Sequence, residues 1–161
     1  MAIKFSSNLE ASIQMWLNES KRILEEEMSR SFTYLGEEAV KMTRDRDFAS
    51  SWFDQTGNLR SSIGYSLYSY GIEKMTSNFK KVLKGSDGAK AGKALAQELA
   101  SSYKNDFALV IVAGMNYASS VENMEGKDVL ASTELWAKAK VDDYIKKATE
   151  KAIRRIDKLK I

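Results

Sequence analysis

The sequence predicts an α+β domain, a three- to four-stranded, mostly antiparallel sheet with long N-terminal and C-terminal helices. Three observations lead there. Apolar residues recur at helical spacing over the first 45 residues and again from Ser132 onward. Ile63, Tyr65 and Leu67 alternate with Gly64, Ser66 and Tyr68. Phe107 to Ala113 is an unbroken apolar run rich in valine and isoleucine. At 161 residues the chain has the size of one domain, residues 1–161. Its expected divisions are helix over 1–45, sheet core over 55–135 and C-terminal helix over 136–161.

Ser7 to Glu10 reads as a capping box that starts the first helix. Leu9, Ile13, Trp16, Leu17, Leu24, Met28, Leu35, Ala39 and Met42 then fall at multiples of helical turns. Two readings stand: one helix over about 8–45, bent near Ser29–Ser31 or Gly36, or a helical hairpin broken near Ser31. A single helix would be about 57 Å long at 1.5 Å per residue, more than a compact domain of this size spans. Arg44-Asp45-Arg46-Asp47 is a charged stop. Phe48, Trp52 and Phe53 follow on a loop, either covering the domain's own sheet or docking on a partner.

Thr56-Gly57-Asn58-Leu59-Arg60 reads as a capped turn. The Thr56 hydroxyl suits orphan N–H groups, and Leu59 and Ile63 lie one helical turn apart. Arg60, the only charge there, is expected to pair with an acid or a backbone carbonyl. The alternating strand ends at Tyr70-Gly71, and Ile72–Met75 and Phe79–Leu83 offer a second, less regular strand. Lys84–Lys93 resembles a phosphate loop but lacks its spacing, since Ala94 follows Lys93. A flexible loop is expected there, then a helix over about 89–103 with Ala94, Leu95, Leu99 and Tyr103 inward. Phe107–Ala113 is expected to be the central strand, covered on both faces. Asn116 suits the cap of a short helix through Val121-Glu122, and Val129-Leu130 reads as an edge strand. In the last helix Val141, Ile145, Ala148, Ala152, Ile156 and Leu159 form one stripe, opposite a basic face of Lys146, Lys147, Lys151, Arg154, Arg155 and Lys158.

Composition narrows the function. There is no cysteine and no histidine, which removes disulfides, the usual zinc ligands, the commonest general base and the thiolate nucleophile. Glu25-Glu26-Glu27, Glu37-Glu38 and Asp142-Asp143 are neighbours on helices, so they point about 100° apart and do not converge. No catalytic residue, metal ligand or cofactor site is expected. No membrane span or signal peptide is legible. Net charge is +3, unevenly placed: residues 1–54 hold 7 Lys/Arg and 10 Asp/Glu, residues 55–105 hold 8 and 3, and residues 106–161 hold 10 and 9. An acidic first third and a basic middle suit complementary contacts between copies. A basic nucleic-acid-binding module is the alternative reading.

The run Thr56-Gly57-Asn58-Leu59-Arg60-Ser61-Ser62-Ile63, then Leu109–Ala113 with Tyr117-Ala118-Ser119-Ser120-Val121-Glu122, then Lys127–Leu135, resembles in order and spacing the phage tail-component family named after the tenth gene product of phage HK97. The resemblance covers roughly residues 9–145. One departure is Asn123-Met124-Glu125-Gly126, where many members carry Gly-Thr soon after Val-Glu. The resemblance implies a structural virion protein at the head–tail junction, made in the bacterial host cytoplasm. It implies a six- or twelve-fold ring that joins the tail to the connector, touches portal-side and tail-tube proteins, and meets passing DNA at most non-specifically. Thr56, Gly57, Asn58, Leu59, Arg60, Ile63, Tyr117, Ala118, Val121 and Glu122 would then be its structural motif. Trp16, Met28, Phe48, Trp52 and Phe53 are the candidate subunit interface.

Overall fold

Helix α1 runs unbroken from Ser7 to Arg44, so the hairpin alternative is not adopted. The computed structural model describes residues 7–46, 52–124 and 127–159. After α1 come the one-turn helix α2 (Asn58–Ser61), β1 (Ile63–Ser69), β2 (Ile72–Thr76) and α3 (Ser86–Ala100). A 3-10 turn (Ser101–Tyr103), β3 (Phe107–Ala113), α4 (Ala118–Glu122) and α5 (Ala131–Ile156) complete the order. The fold is α+β, with a three-stranded antiparallel sheet in the order β2-β1-β3.

The strand roles differ from those expected. The central strand is β1, buried along its whole length, and β3 is an edge strand, mostly half-buried. Alternation in β1 did not mark one wet face, because each face is covered. On one face α1 crosses so closely that a Cβ at Gly36 would lie 2.8 Å from the Tyr65 ring. On the other, the Phe79 ring fills the space above Gly64 and Gly92, where a Cβ would meet it at 2.4 and 2.7 Å. The buried Ser66 hydroxyl is satisfied by Thr76 at 2.8 Å. Phe79–Leu83 is therefore not a strand, and Phe79 is a core residue. Val129-Leu130 is not a strand either; it is the bend that leads into α5.

Tyr70 and Gly71 both have positive φ, the backbone that a two-residue hairpin requires. Lys84–Lys93 is mostly helix, with α3 starting at Ser86. Within α3 and the turn after it, Leu95, Leu99 and Tyr103 pack inward as expected, but Ala94 is exposed and Ala96 takes the buried place. No side chain caps α4, so Asn116 does not play that part.

The two long helices pack antiparallel. Thr43 meets Thr133 at 2.9 Å, the Ser31 hydroxyl donates to the Tyr144 carbonyl at 2.8 Å, and Arg155 donates to Glu27 at 2.6 Å. Ala148 and Ala152 give α5 its close approach, while Ile145 is exposed and Tyr144 is turned inward to Glu38 at 2.6 Å. The buried face of α1 is Ile23, Phe32, Leu35, Ala39, Val40 and Thr43. It turns about the helix axis because α1 meets both α5 and the sheet. Of the expected stripe only Leu35 and Ala39 are buried, and Leu9, Ile13, Leu17, Leu24 and Met42 are exposed.

Candidate functional site

The three motif segments converge on one core. Leu59, Ile63, Tyr65, Ala118, Val129, Val40 and Trp52 pack together, with Val121 and Leu130 against them. Leu59 is 1% exposed and Ile63 is 0%. Gly57 sits at φ 79, and a Cβ there would lie 2.0 Å from the Val82 carbonyl oxygen, so only glycine fits. The Asn58 Oδ1 accepts from the Gly88 amide at 3.1 Å and ties α2 to α3.

The cap of this turn falls to a residue outside the expected motif. Asp54 accepts from the amides of Gly57 at 2.9 Å and Arg60 at 2.8 Å, while Thr56 accepts only from Asn58 at 3.2 Å. An Asp three residues before a glycine was the available signal. The Arg60 guanidinium donates to the Arg44 carbonyl, as expected, and lies 5.1 Å from the Trp52 ring centroid.

Tyr117 lies beside the first segment, with the Thr56 hydroxyl and the Asp54 carboxylate near its own hydroxyl. Partial burial and then the nearby Asp54 carboxylate raise its pKa. Glu122 joins the second and third segments. Its carboxylate accepts from the amides of Val129 at 3.1 Å, Leu130 at 2.7 Å and Ala131 at 3.3 Å, three donors at the start of α5. Next to it Arg46 pairs with Asp128 at 2.6 Å and reaches Thr133 at 2.6 Å. Burial raises the Asp128 carboxyl, but bonds from Ser132 and Arg46 outweigh it and hold the pKa below the usual range. The motif residues thus serve the frame of the molecule. Together they form a junction that locks α1, the sheet and α5 to one another.

The candidate interface residues do not come together. Trp52 is 3% exposed inside the junction core, which removes it from the outer surface. Phe53 is exposed, Trp16 and Met28 are half-buried on α1, and Phe48 lies outside the described residues. What α1 does offer is a stripe of Leu9, Ile13, Leu17 and Leu24, exposed at 38%, 45%, 40% and 42%. Arg155 faces Glu27, and α5 ends one residue later at Ile156. The helix before Ile23 is about 24 Å long at 1.5 Å per residue, and most of it extends past the end of α5.

The basic face of α5 is not uniformly turned to solvent. Arg155 pairs with Glu26 at 2.8 Å and Glu27 at 2.6 Å, and Lys147 lies 5.8 Å from the Tyr144 ring centroid. Hydrogen bonding from Arg155 lowers the Glu26 pKa. Among the described residues no three acidic side chains stand close enough to hold a metal ion, and no helix is long and apolar enough to cross a membrane. No family model, curated protein or solved structure matches this chain.

Proposed function

We propose that this chain is a structural, non-catalytic virion protein of the phage head–tail junction, a tail-completion or neck component that assembles into a ring around the DNA channel. The observation that carries the assembly part is the overhang of α1. Its Leu9, Ile13 and Leu17 lie at helical spacing on one face that Leu24 continues, and the first three extend past the end of α5. An apolar stripe of that length is a liability for a monomer and an asset for an assembly. The phage part rests on the resemblance of the three motif segments. Those segments form the rigid junction from which α1 extends, so the resembling residues build the frame and leave contacts to the overhang.

The test is location. Particles carrying a tagged copy, viewed by electron microscopy, are expected to show the tag at the head–tail junction in ring-like copy number. A tag on the capsid surface, at the tail tip, or absent from particles would sink the reading. Steeply salt-dependent binding of the isolated chain to duplex DNA would favour the nucleic-acid module instead.

A further inference from the structure

The sheet has two outer edges, and they are built differently. The β2 edge is short, carries Glu73 and Lys74, and is irregular between Leu67 and Tyr68, where Lys74 is the extra residue. Charge, brevity and a bulge are how proteins blunt an edge. The β3 edge has none of these. It is seven uncharged residues, Phe107 to Ala113, in unbroken register with β1. Ser62 and Tyr70 bond to Gly114 and Asp106, so the even-numbered residues of β3 turn their backbone groups toward β1. Phe107, Leu109, Ile111 and Ala113 turn theirs outward, and among the described residues no backbone bond crosses that edge.

Beside this edge lies a cavity of about 490 Å³. Leu99 and Tyr103 form its floor, and Ala137, Val141, Phe32 and Leu35 its opposite wall. The arrangement suits a missing strand. Strands lie about 4.8 Å apart and packed helices about 8–10 Å apart. With α1 over β1, α5 therefore roofs the place of a fourth strand. Two copies cannot meet through their β3 edges, because each α5 would occupy the other's space. The blunted β2 of a second copy would carry Glu73 and Lys74 into an apolar slot.

We infer that the β3 edge is a receptor for an extended arm of a different protein, added as a fourth strand beneath α5. Its chemistry follows from the slot. It is uncharged over about five residues, apolar at successive positions that point in turn toward α5 and toward α3, and polar only where it passes the Glu134–Lys138 pair at the rim. The inference rests on the assembly reading above and supplies it with a heterologous neighbour, but it is tested on the isolated chain.

The probe is a display library of random heptapeptides, selected against the full chain and against an Ile111→Pro variant. Proline there removes an outward N–H and leaves the β1 ladder intact. Selected peptides are expected to be uncharged and apolar at successive positions, to slow hydrogen exchange at the amides of residues 107, 109, 111 and 113, and to bind the variant roughly tenfold or more weakly, as the loss of a buried backbone bond implies. Protected amides at 108, 110 and 112 in the variant show that it is folded. No selected peptide, or peptides that map to another face or bind both proteins alike, overturns the inference. So does concentration-dependent protection of the outward amides without peptide, which would make a second copy the occupant. Any of these outcomes leaves the location test of the ring untouched.

Discussion

The two ends of α1 are made of similar residues and have opposite fates. Between Ile23 and Thr43 the helix is wedged between α5 and β1, and Leu35 is 2% exposed. Before Ile23 an equally apolar pattern continues, yet Leu17 is 40% exposed. Composition does not make the difference; the length of α5 does, since it stops opposite the residues around Glu27. One half of the helix holds the fold and the other extends from it. Mutations should therefore separate stability from assembly along a single helix.

The largest expected effect is at the buried end. Leu35→Ala should cost about 2–5 kcal/mol of unfolding free energy in urea, whereas Leu17→Ala should stay within about 0.5 kcal/mol. Equal costs would break the comparison, because the overhang would then be packed in solution.

Next comes the close crossing at Gly36. Glycine to alanine inside a helix ordinarily stabilises by roughly 0.8–1 kcal/mol. Here the new methyl meets the Tyr65 ring at 2.8 Å. Gly36→Ala should therefore destabilise, by about 1–3 kcal/mol as overpacking does. Combining it with Tyr65→Ala should remove most of the clash, and additive costs in that double-mutant cycle would refute the contact.

A smaller effect appears at alkaline pH. Burial, and then the hydrogen bond to Glu37, push the Tyr65 hydroxyl up. The bond to Glu38 pushes Tyr144 up to about 12. Both raised groups favour the protonated folded state. Their contribution is whole below the unfolded tyrosine value of about 10 and is lost as pH rises through the folded values. Thermal stability should fall between those limits, and Tyr65→Phe with Tyr144→Phe should flatten the fall. An unchanged slope would mean that neither hydroxyl bond persists in solution.

Much of this was legible in sequence. The extent of α1 follows from helical spacing between a capping box and a charged stop, β1 from its alternation and β3 from an unbroken apolar run. What was not legible is which strand is central. That is set by pairing, since β1 takes both β2 and β3 as neighbours, and an apolar run does not say how strands pair; nor does any local pattern show that the loop residue Phe79 covers Gly64. Val129-Leu130 looked like a strand because it is apolar. It is a helix entry because Glu122, seven residues before Val129, takes its amides. In the turn itself Leu59 and Ile63 are buried and Arg60 meets a backbone carbonyl, as their types suggest, whereas the cap belongs to Asp54.

The last prediction has the smallest effect on the monomer and the sharpest consequence for the comparison. Replacing both Ile13 and Leu17 by Glu places two charges on the exposed stripe and none in the core. Both positions already contact water, so melting should shift little, within about 0.5 kcal/mol in stability. If the stripe is a subunit contact, burying two like charges in it should abolish assembly, because an unpaired charge in an interface costs several kcal/mol. The pair is a better probe than deleting the first thirty residues, which would also remove Ile23 and Glu27 from the α1–α5 seam. A variant that keeps its melting curve and loses incorporation into rings or particles, followed by light scattering and microscopy, separates the two ends of α1. A variant that assembles normally would move the subunit contact off the overhang and back to the body of the domain.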